Sequence, residues 1–577
     1  MTHFDMLIRG GTIVDGSGSA RFQGDVGITD GVITAIGPSV DGAADEVMDA
    51  TGLIVAPGVL DLHTHYDAQV HWDPYCTGQS WNGVTSVVIG NCGFGYAPAH
   101  PESREQLMLM MGTAEQVPVS AQREIFKHWD WETFPEWMDH LRSIPKGINL
   151  LSYLPVNALL IYVMGEDSRH RAATAEEMRV MKQLLNEAMD AGAVGMSFSH
   201  LSDMNAAKEG DGSPFPADIH PAEDLYELAG VLRDRGQGFI EAFTNAPGVD
   251  FREVAEGVAR ASGRPVIHNL AGPWPSAPDH HGDILAWMTR CAEEGLQIYS
   301  QPMEPYWLEF SLEYFNSWER LPFFVEFVHA SVEEKIRFAS DPQFIEDAKR
   351  AYNPLILGGA GGPWETYVLI TAHGATEYEK YEGTSLGEIT EAEGRHMLDV
   401  LFDILAKSRM QAEWKSFPAI SDAATYAEVI RHPHMLVGGS DGGAHLTFMG
   451  GSWSTQFISW LVRDEGLLTL EELHHRMSGY QAEVIGLDRR GLLRQGYAAD
   501  LMVYDYDTIG GPDKTLVIRD VPGDGGAFRR ATPAEGIRWV IVNGKVIHEN
   551  GKSTGVTPGR MLSVLGPETD ARLREVV

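Results

Sequence analysis

Two histidines one residue apart, His63 and His65 in Val59-Leu60-Asp61-Leu62-His63-Thr64-His65, carry the clearest chemical signal in the chain. An apolar run leads into them, so the pair closes a buried strand, and alternation along that strand turns both imidazoles to the same side. Two imidazole nitrogens on one side suit zinc or a neighbouring transition metal. Asp61 and Asp67 stand close by in sequence and supply acids of the kind that orient metal-bound rings. The first expectation is a metal-dependent enzyme, its site at the strand ends of an α/β barrel.

Such a site needs a scaffold, and the chain has the length for one. At 577 residues with 44% apolar content it exceeds an ordinary domain and divides naturally into a barrel and a smaller unit. Between about residue 57 and residue 489, apolar strand-like runs alternate with amphipathic helical stretches such as Ala175 to Ala191 and Ala222 to Arg235, the βα pattern of a parallel barrel. Strands are expected at Val59–His63, Val84–Gly90, Ile148–Tyr153, Ala193–Phe198, Gly238–Phe243, Arg264–His268, Leu296–Gln301 and Met435–Ser440. The aromatic-rich gap before the last, about 303 to 434, reads as an inserted subdomain or lid. Both chain ends are short strands with glycine punctuation, which predicts one β-sandwich made from 1–56 and 490–577.

Composition excludes several classes. A formal net charge of −37 repels phosphate backbones and anionic lipid, so neither nucleic acid nor membrane is an expected partner. Cys76, Cys92 and Cys291 are too few and too odd in number for a disulfide framework. With no basic-then-apolar leader at Met1–Asp5 and no apolar run long enough to span a bilayer, the cytoplasm is the expected compartment. Homo-oligomerisation is left open.

The run from Pro57-Gly58 through His63-Thr64-His65-Tyr66-Asp67, the run Val87-Val88-Ile89-Gly90-Asn91-Cys92-Gly93-Phe94 and the closing Gly438-Gly439-Ser440-Asp441-Gly442 together resemble the amidohydrolase superfamily. Within it, the chain is similar to the D-aminoacylase (N-acyl-D-amino-acid deacylase) group over nearly its whole length. The segment from Arg490-Gly491-Leu492-Leu493 to Gly496-Tyr497-Ala498-Ala499-Asp500-Leu501 matches the terminal sandwich of such proteins. The resemblance implies an α/β fold, a TIM-like (β/α)8 barrel flanked by a small β-sandwich from both ends, holding one or two zinc ions. Carried over by position, it makes His63, His65, Cys92, His268 and Asp441 metal ligands.

Three departures qualify the match. The fifth strand, where the family carries a ligating histidine, reads Gly238-Phe239-Ile240-Glu241-Ala242-Phe243, leaving Glu241 as the substitute ligand or as an acid that binds substrate or supports a histidine. No arginine follows Asp441 before Arg463, so the clamp expected for a substrate carboxylate is missing from its usual place. The third-strand segment Leu154–Ala158 lacks the family's Gly-His pair.

The expected mechanism is hydrolysis of a small molecule by metal-activated hydroxide, with Asp441 as general base and then acid. An N-acyl amino acid amide leads, and a lactone, ester or cyclic amide is the alternative on the same site. A non-catalytic relative is the third reading, disfavoured because His63, His65 and Asp441 are all present. His445, Asn269, Trp274 and Tyr306 are expected to touch substrate.

Overall fold

A computed structural model defines residues 2–564, apart from 206, 210–211, 247–248, 273–278, 303–306, 316, 354–361, 417–421, 448–451, 512–514 and 524–526; of residues 319 and 320 only the backbone is described. The two ends of the chain are sewn together in one nine-stranded sheet. His3–Ile13 pairs antiparallel with Phe22–Thr29 and parallel with Ile54–Pro57, and Ile54–Pro57 pairs antiparallel with Leu501–Tyr504. Alternate side chains of these strands, among them Ile8, Val26, Ile28, Val55 and Val503, close one apolar cluster, which explains why neither end needs a core of its own. Arg490 and Asp500, both buried, form an ion pair beside it.

The middle of the chain is parallel sheet and helix. Val59–Asp61, Val84–Ile89 and Asn149–Ser152 form one parallel sheet. Leu154–Pro155, Gly195–Ser199, Phe239–Phe243, Val266–Ala271 and Ile298–Pro302 form a second. Backbone bonds from Tyr153 N to Ile89 O and from Val194 N to Ser152 O link the two. Seven of the expected strands therefore appear, each within a few residues of its expected bounds.

The eighth, Met435–Ser440, is not a regular strand, although its backbone is bonded on both sides. Leu436 N donates to Ser300 O, and Leu62 N donates to Gly438 O. Leu60, Val88, Leu151, Phe239, Ile267 and Leu436 share one apolar cluster, while their strand neighbours Val87, Ile240 and Val266 pack in the larger core that also takes in the helices. The helices start where side chains predict: Thr174 accepts from Glu177 N–H to open Ala175–Asp190 in a reciprocal cap.

Between Pro302 and Ala423 the chain builds a separate antiparallel sheet of Leu308–Ser311, Val368–Thr371 and Glu413–Ser416. Its own aromatic core includes Phe310, Trp318, Trp364, Phe402 and Trp414. Among the described residues, no helix is long and apolar enough to cross a membrane.

Candidate active site

His63 and His65 follow Val59–Asp61 directly, and their rings lie with centroids 5.2 Å apart. Backbone bonds hold the segment from both sides: Thr64 N and Thr64 Oγ1 both donate to Val88 O, and His65 N donates to Gly442 O at 2.7 Å. Asp61 accepts at 3.3 Å from the backbone N–H of both His63 and Ser440, tying the segment that carries the histidines to the one that carries Asp441. Burial pushes the Asp61 carboxyl up to about 6.

Four side chains meet here. His63 Nε2 lies 3.2 Å from Asp441 Oδ1 and 3.4 Å from Cys92 Sγ. His65 Nε2 lies 3.6 Å from the same Asp441 oxygen. Ligand atoms of His63, His65 and Cys92 fall within 4.8 Å of one another. Cys92 and Asp441 both hold left-handed backbone, φ 55° and 50°, a conformation that costs a residue with a Cβ about 1–2 kcal/mol and recurs where side chains must be aimed.

The imidazole side chains are 6% and 1% exposed, whereas that of Asp441 is 41% exposed, so the carboxylate is the open member of the group. Desolvation opposes its ionisation, but hydrogen bonding to the two imidazoles holds it well below the ordinary carboxylate range. Burial opposes a charge on His65 as well, yet Glu115 and Asp441 outweigh it and raise that ring to about 9. Burial, followed by Glu241 and other acids, pushes the Cys92 thiol well up.

Glu241 and Asn269 stand behind the four. Glu241 Oε2 accepts from Cys92 N at 2.8 Å, and Oε1 accepts from Asn269 Nδ2 at 2.6 Å. The Asn269 amide also lies 2.6 Å from His63 Nδ1, on the side of the ring away from Asp441. Burial raises the Glu241 carboxyl to about 7, with His63 working against it.

The site thus joins a histidine pair that closes one strand, a cysteine after the next strand and an aspartate that follows Met435–Ser440. The amidohydrolase family profile matches residues 46–238 and 384–548, more than half of the chain. The chain belongs to the amidohydrolase family.

This amidohydrolase is 27% identical to the N-acyl-D-aspartate deacylase of Alcaligenes xylosoxydans xylosoxydans, over 97% of this chain and 95% of that protein. It is also 27% identical to the D-aminoacylase of the same organism, over 97% and 98%. Among solved structures, the N-acyl-D-glutamate deacylase of Bordetella bronchiseptica, complexed with zinc and a phosphonate mimic of the tetrahedral intermediate, shares the fold with a TM-score of 0.63 at 23% identity, over 97% and 99% of the two chains. A D-aminoacylase described with a binuclear metal centre does so at 0.62 and 24%, over 97% and 100%.

Not every expected site residue of the amidohydrolase joins the cluster. His268 does not: Ile267 packs in the cluster shared with Leu60 and Leu436, so alternation turns His268 the other way, where its ring meets Trp287 edge-on at 4.7 Å. Burial, then Arg252, push that imidazole down to about 3, and neither ring nitrogen has a hydrogen-bond partner among the described residues. The next inward position belongs to Asn269, whose amide contacts His63 and Glu241. His445 lies on the loop after Asp441, its backbone N–H donating to Glu115 O at 2.7 Å. Trp274 and Tyr306 fall outside the described residues.

Glu115 was invisible in the sequence. It follows the helix Arg104–Ala114, is buried, and places Oε2 3.5 Å from His65 Nε2. No motif or spacing joins it to the histidines. The one available signal was an acid at the buried end of an otherwise apolar helical stretch, Met108 to Ala114.

Proposed function

We propose that this amidohydrolase hydrolyses the amide bond of an N-acyl amino acid, using a divalent metal, zinc, held by His63, His65, Cys92 and Asp441. The observation that carries the reading is the spacing of the donors. Donors that would share one zinc at bonds of about 2.0–2.3 Å stand roughly 3–4 Å apart, and the separations around His63 and Asp441 are 3.2, 3.4 and 3.6 Å. Imidazole with thiolate is a donor set that favours zinc over the hard cations. The names of the relatives, deacylases of N-acyl-D-amino acids, support the substrate class.

When bound, the metal supplies Lewis acidity, lowering the pKa of water towards ~7 and polarising the acyl carbonyl. The remaining work falls to the side chains. Asp441, ionised and open to the cavity, accepts the proton of the attacking water and delivers it to the leaving nitrogen. Glu241 and Asn269 fix the orientation of His63 and the loop of Cys92, and Glu115 fixes His65. The buried imidazoles exclude water from the far side of the group.

The architecture we propose around this site is a (β/α)8 barrel over 57–489, with an insertion around 303–434, and a β-sandwich from 1–56 and 490–577. The parallel sheets, the bonds that Met435–Ser440 makes on both sides and the apolar cluster fed by successive strands support it. A soluble cytoplasmic enzyme acting on a small molecule, without nucleic-acid or membrane partners, fits the charge of −37.

Elemental analysis combined with a panel of N-acyl amino acids of both hands, lactones, esters and cyclic amides tests the reading. Stoichiometric zinc and turnover confined to N-acyl amino acids are expected. Metal-free protein with undiminished turnover would overturn the metal, and preference for neutral lactones or cyclic amides would overturn the substrate.

A further inference from the structure

An anionic substrate meets an electrostatic obstacle in this protein. Asp61, Asp67, Glu115, Glu241 and Asp441 crowd the site of a chain whose net charge is already −37. The loop after Asp441 carries no arginine to offset them. The proposed metal offsets part of this charge at the reacting bond, and a substrate carboxylate needs a fixed cation of its own beside it.

The fold brings one from the far end of the chain. The short strand Arg529–Ala531 pairs antiparallel with Leu516–Ile518 and lies against the loop that follows Asp441, with Arg530 N donating to Leu446 O at 2.7 Å. Arg529 and Arg530 line the same cavity as Asp441, together with Tyr66, Ser440 and Gly442, and they are the cavity's only cationic side chains among the described residues.

The two arginines differ in what they have left to offer. Arg530 is fully engaged: Nε donates to Thr447 O at 3.1 Å, Nη1 to Glu309 Oε2 at 3.1 Å and Thr515 Oγ1 at 3.0 Å, and Nη2 to Tyr314 OH at 3.0 Å. It fastens the strand Leu308–Ser311 to the floor of the cavity.

Arg529 is engaged at two of its three nitrogens. Nε and Nη2 donate to Asp520 at 2.9 and 2.7 Å, and Nη2 also reaches Thr77 Oγ1 at 3.2 Å and Asp73 Oδ2 at 3.3 Å. Nη1 has no partner among the described residues. With Nε and Nη2 committed, the donors that remain to this guanidinium are the N–H bonds of Nη1.

We propose that Arg529 receives the carboxylate of the substrate, replacing from the C-terminal strand the arginine that the loop after Asp441 lacks. The inference rests on the N-acyl amino acid reading above and names the residue that selects a free acid. Two buried partners of one guanidinium make it rigid, and rigidity is what a specificity contact needs. Sequence alone could not supply this residue, because Asp441 and Arg529 lie nearly ninety positions apart.

The test uses zinc-loaded full-length protein and two variants, Arg529→Lys and the double replacement Arg529→Met with Asp73→Asn, which avoids leaving Asp73 buried without a counter-charge. Melting curves confirm that each is folded. Binding of the non-hydrolysable N-methanesulfonyl-leucine and of its carboxamide, each as both enantiomers, is measured by calorimetry, alongside kinetics with N-acetyl-leucine. In the parent protein the acid binds at least tenfold more tightly than the carboxamide. In both variants that preference disappears, and KM for N-acetyl-leucine rises tenfold or more while kcat stays within threefold. Equal binding of acid and carboxamide by the parent, or a preference that survives in the variants, overturns the clamp. If no N-acyl amino acid is hydrolysed but the preference for the acid is present and is lost with Arg529, the clamp stands and the assigned reaction fails.

Discussion

Glu241 faces the same cluster as His63 and Cys92, with one oxygen accepting from Cys92 N–H at 2.8 Å and the other from the Asn269 amide at 2.6 Å. Those bonds hold it in a supporting role, and among the described residues the only group of His, Cys, Asp and Glu with metal-ligand spacing is His63, His65 and Cys92. One zinc per chain is therefore expected by elemental analysis, retained in Glu241→Gln and lost in His63→Ala; two ions per chain would contradict the argument. Asp441→Asn keeps the shape of the side chain and removes its basicity, so kcat should fall by about 10²–10⁴-fold, the usual worth of a positioned base, with the melting temperature nearly unchanged. His268 gives the opposite expectation. Its two ring nitrogens are buried beside Trp287 without partners among the described residues, and an unmet buried polar atom costs about 1–3 kcal/mol. His268→Leu should leave zinc content untouched and stability equal or higher, and loss of metal in that variant would return His268 to the site.

At the scale of elements, the contrast between His268 and Asn269 shows where reading the sequence stops. The apolar run and its period located the strand, but which residue faces inward depends on parity counted from Glu241 and Ile267, and the strand continues to Ala271 rather than ending at the histidine. Cys92, His63, His65 and Asp441 were legible because each ends or follows an apolar run, and a run is what local sequence encodes. Glu115 and Arg529 were not, because each arrives through tertiary packing of a segment with no spacing relation to the histidines. Met435–Ser440 was legible as a position but not as a regular strand, since Leu436 bonds to Ser300 on one side and Gly438 to Leu62 on the other without continuous pairing. The loop beyond it is set by close contact: Gly443, at φ 90°, lies where an added Cβ would stand 2.6 Å from the His65 carbonyl. Gly443→Ala must move that loop or the histidine strand, so a loss of tenfold or more in kcat/KM and a melting point lower by several degrees are expected, and parent-like kinetics would show that the loop does not position Asp441.

Across the whole molecule, buried histidines set the response to acid. Burial drives His71, His268 and His474 down to about 3 and His548 to about 4 from an ordinary 6.5, so the folded chain keeps them neutral. The unfolded chain protonates them near 6.5. Their contribution is thus complete above that value and is lost as pH falls from about 6.5 towards 3–4. Asp61, Asp67 and Asp218, raised by burial to about 6, act in the opposite sense between roughly 6 and 3.8, because the fold then binds protons that the unfolded chain does not. A single replacement separates the two. His474 joins the helix Leu470–His474 to the terminal sheet through Nε2 and Tyr504 OH at 2.9 Å, and it lies far in sequence from every residue of the metal cluster. One pH unit below 6.5, its neutral state costs the fold about 1.4 kcal/mol. Between pH 7.5 and 5.5 the parent protein should therefore lose about 1.4 kcal/mol more stability than His474→Gln, read as urea midpoints at each pH. Stability curves that run parallel across that window would mean that His474 titrates in the folded chain as it does in the unfolded one.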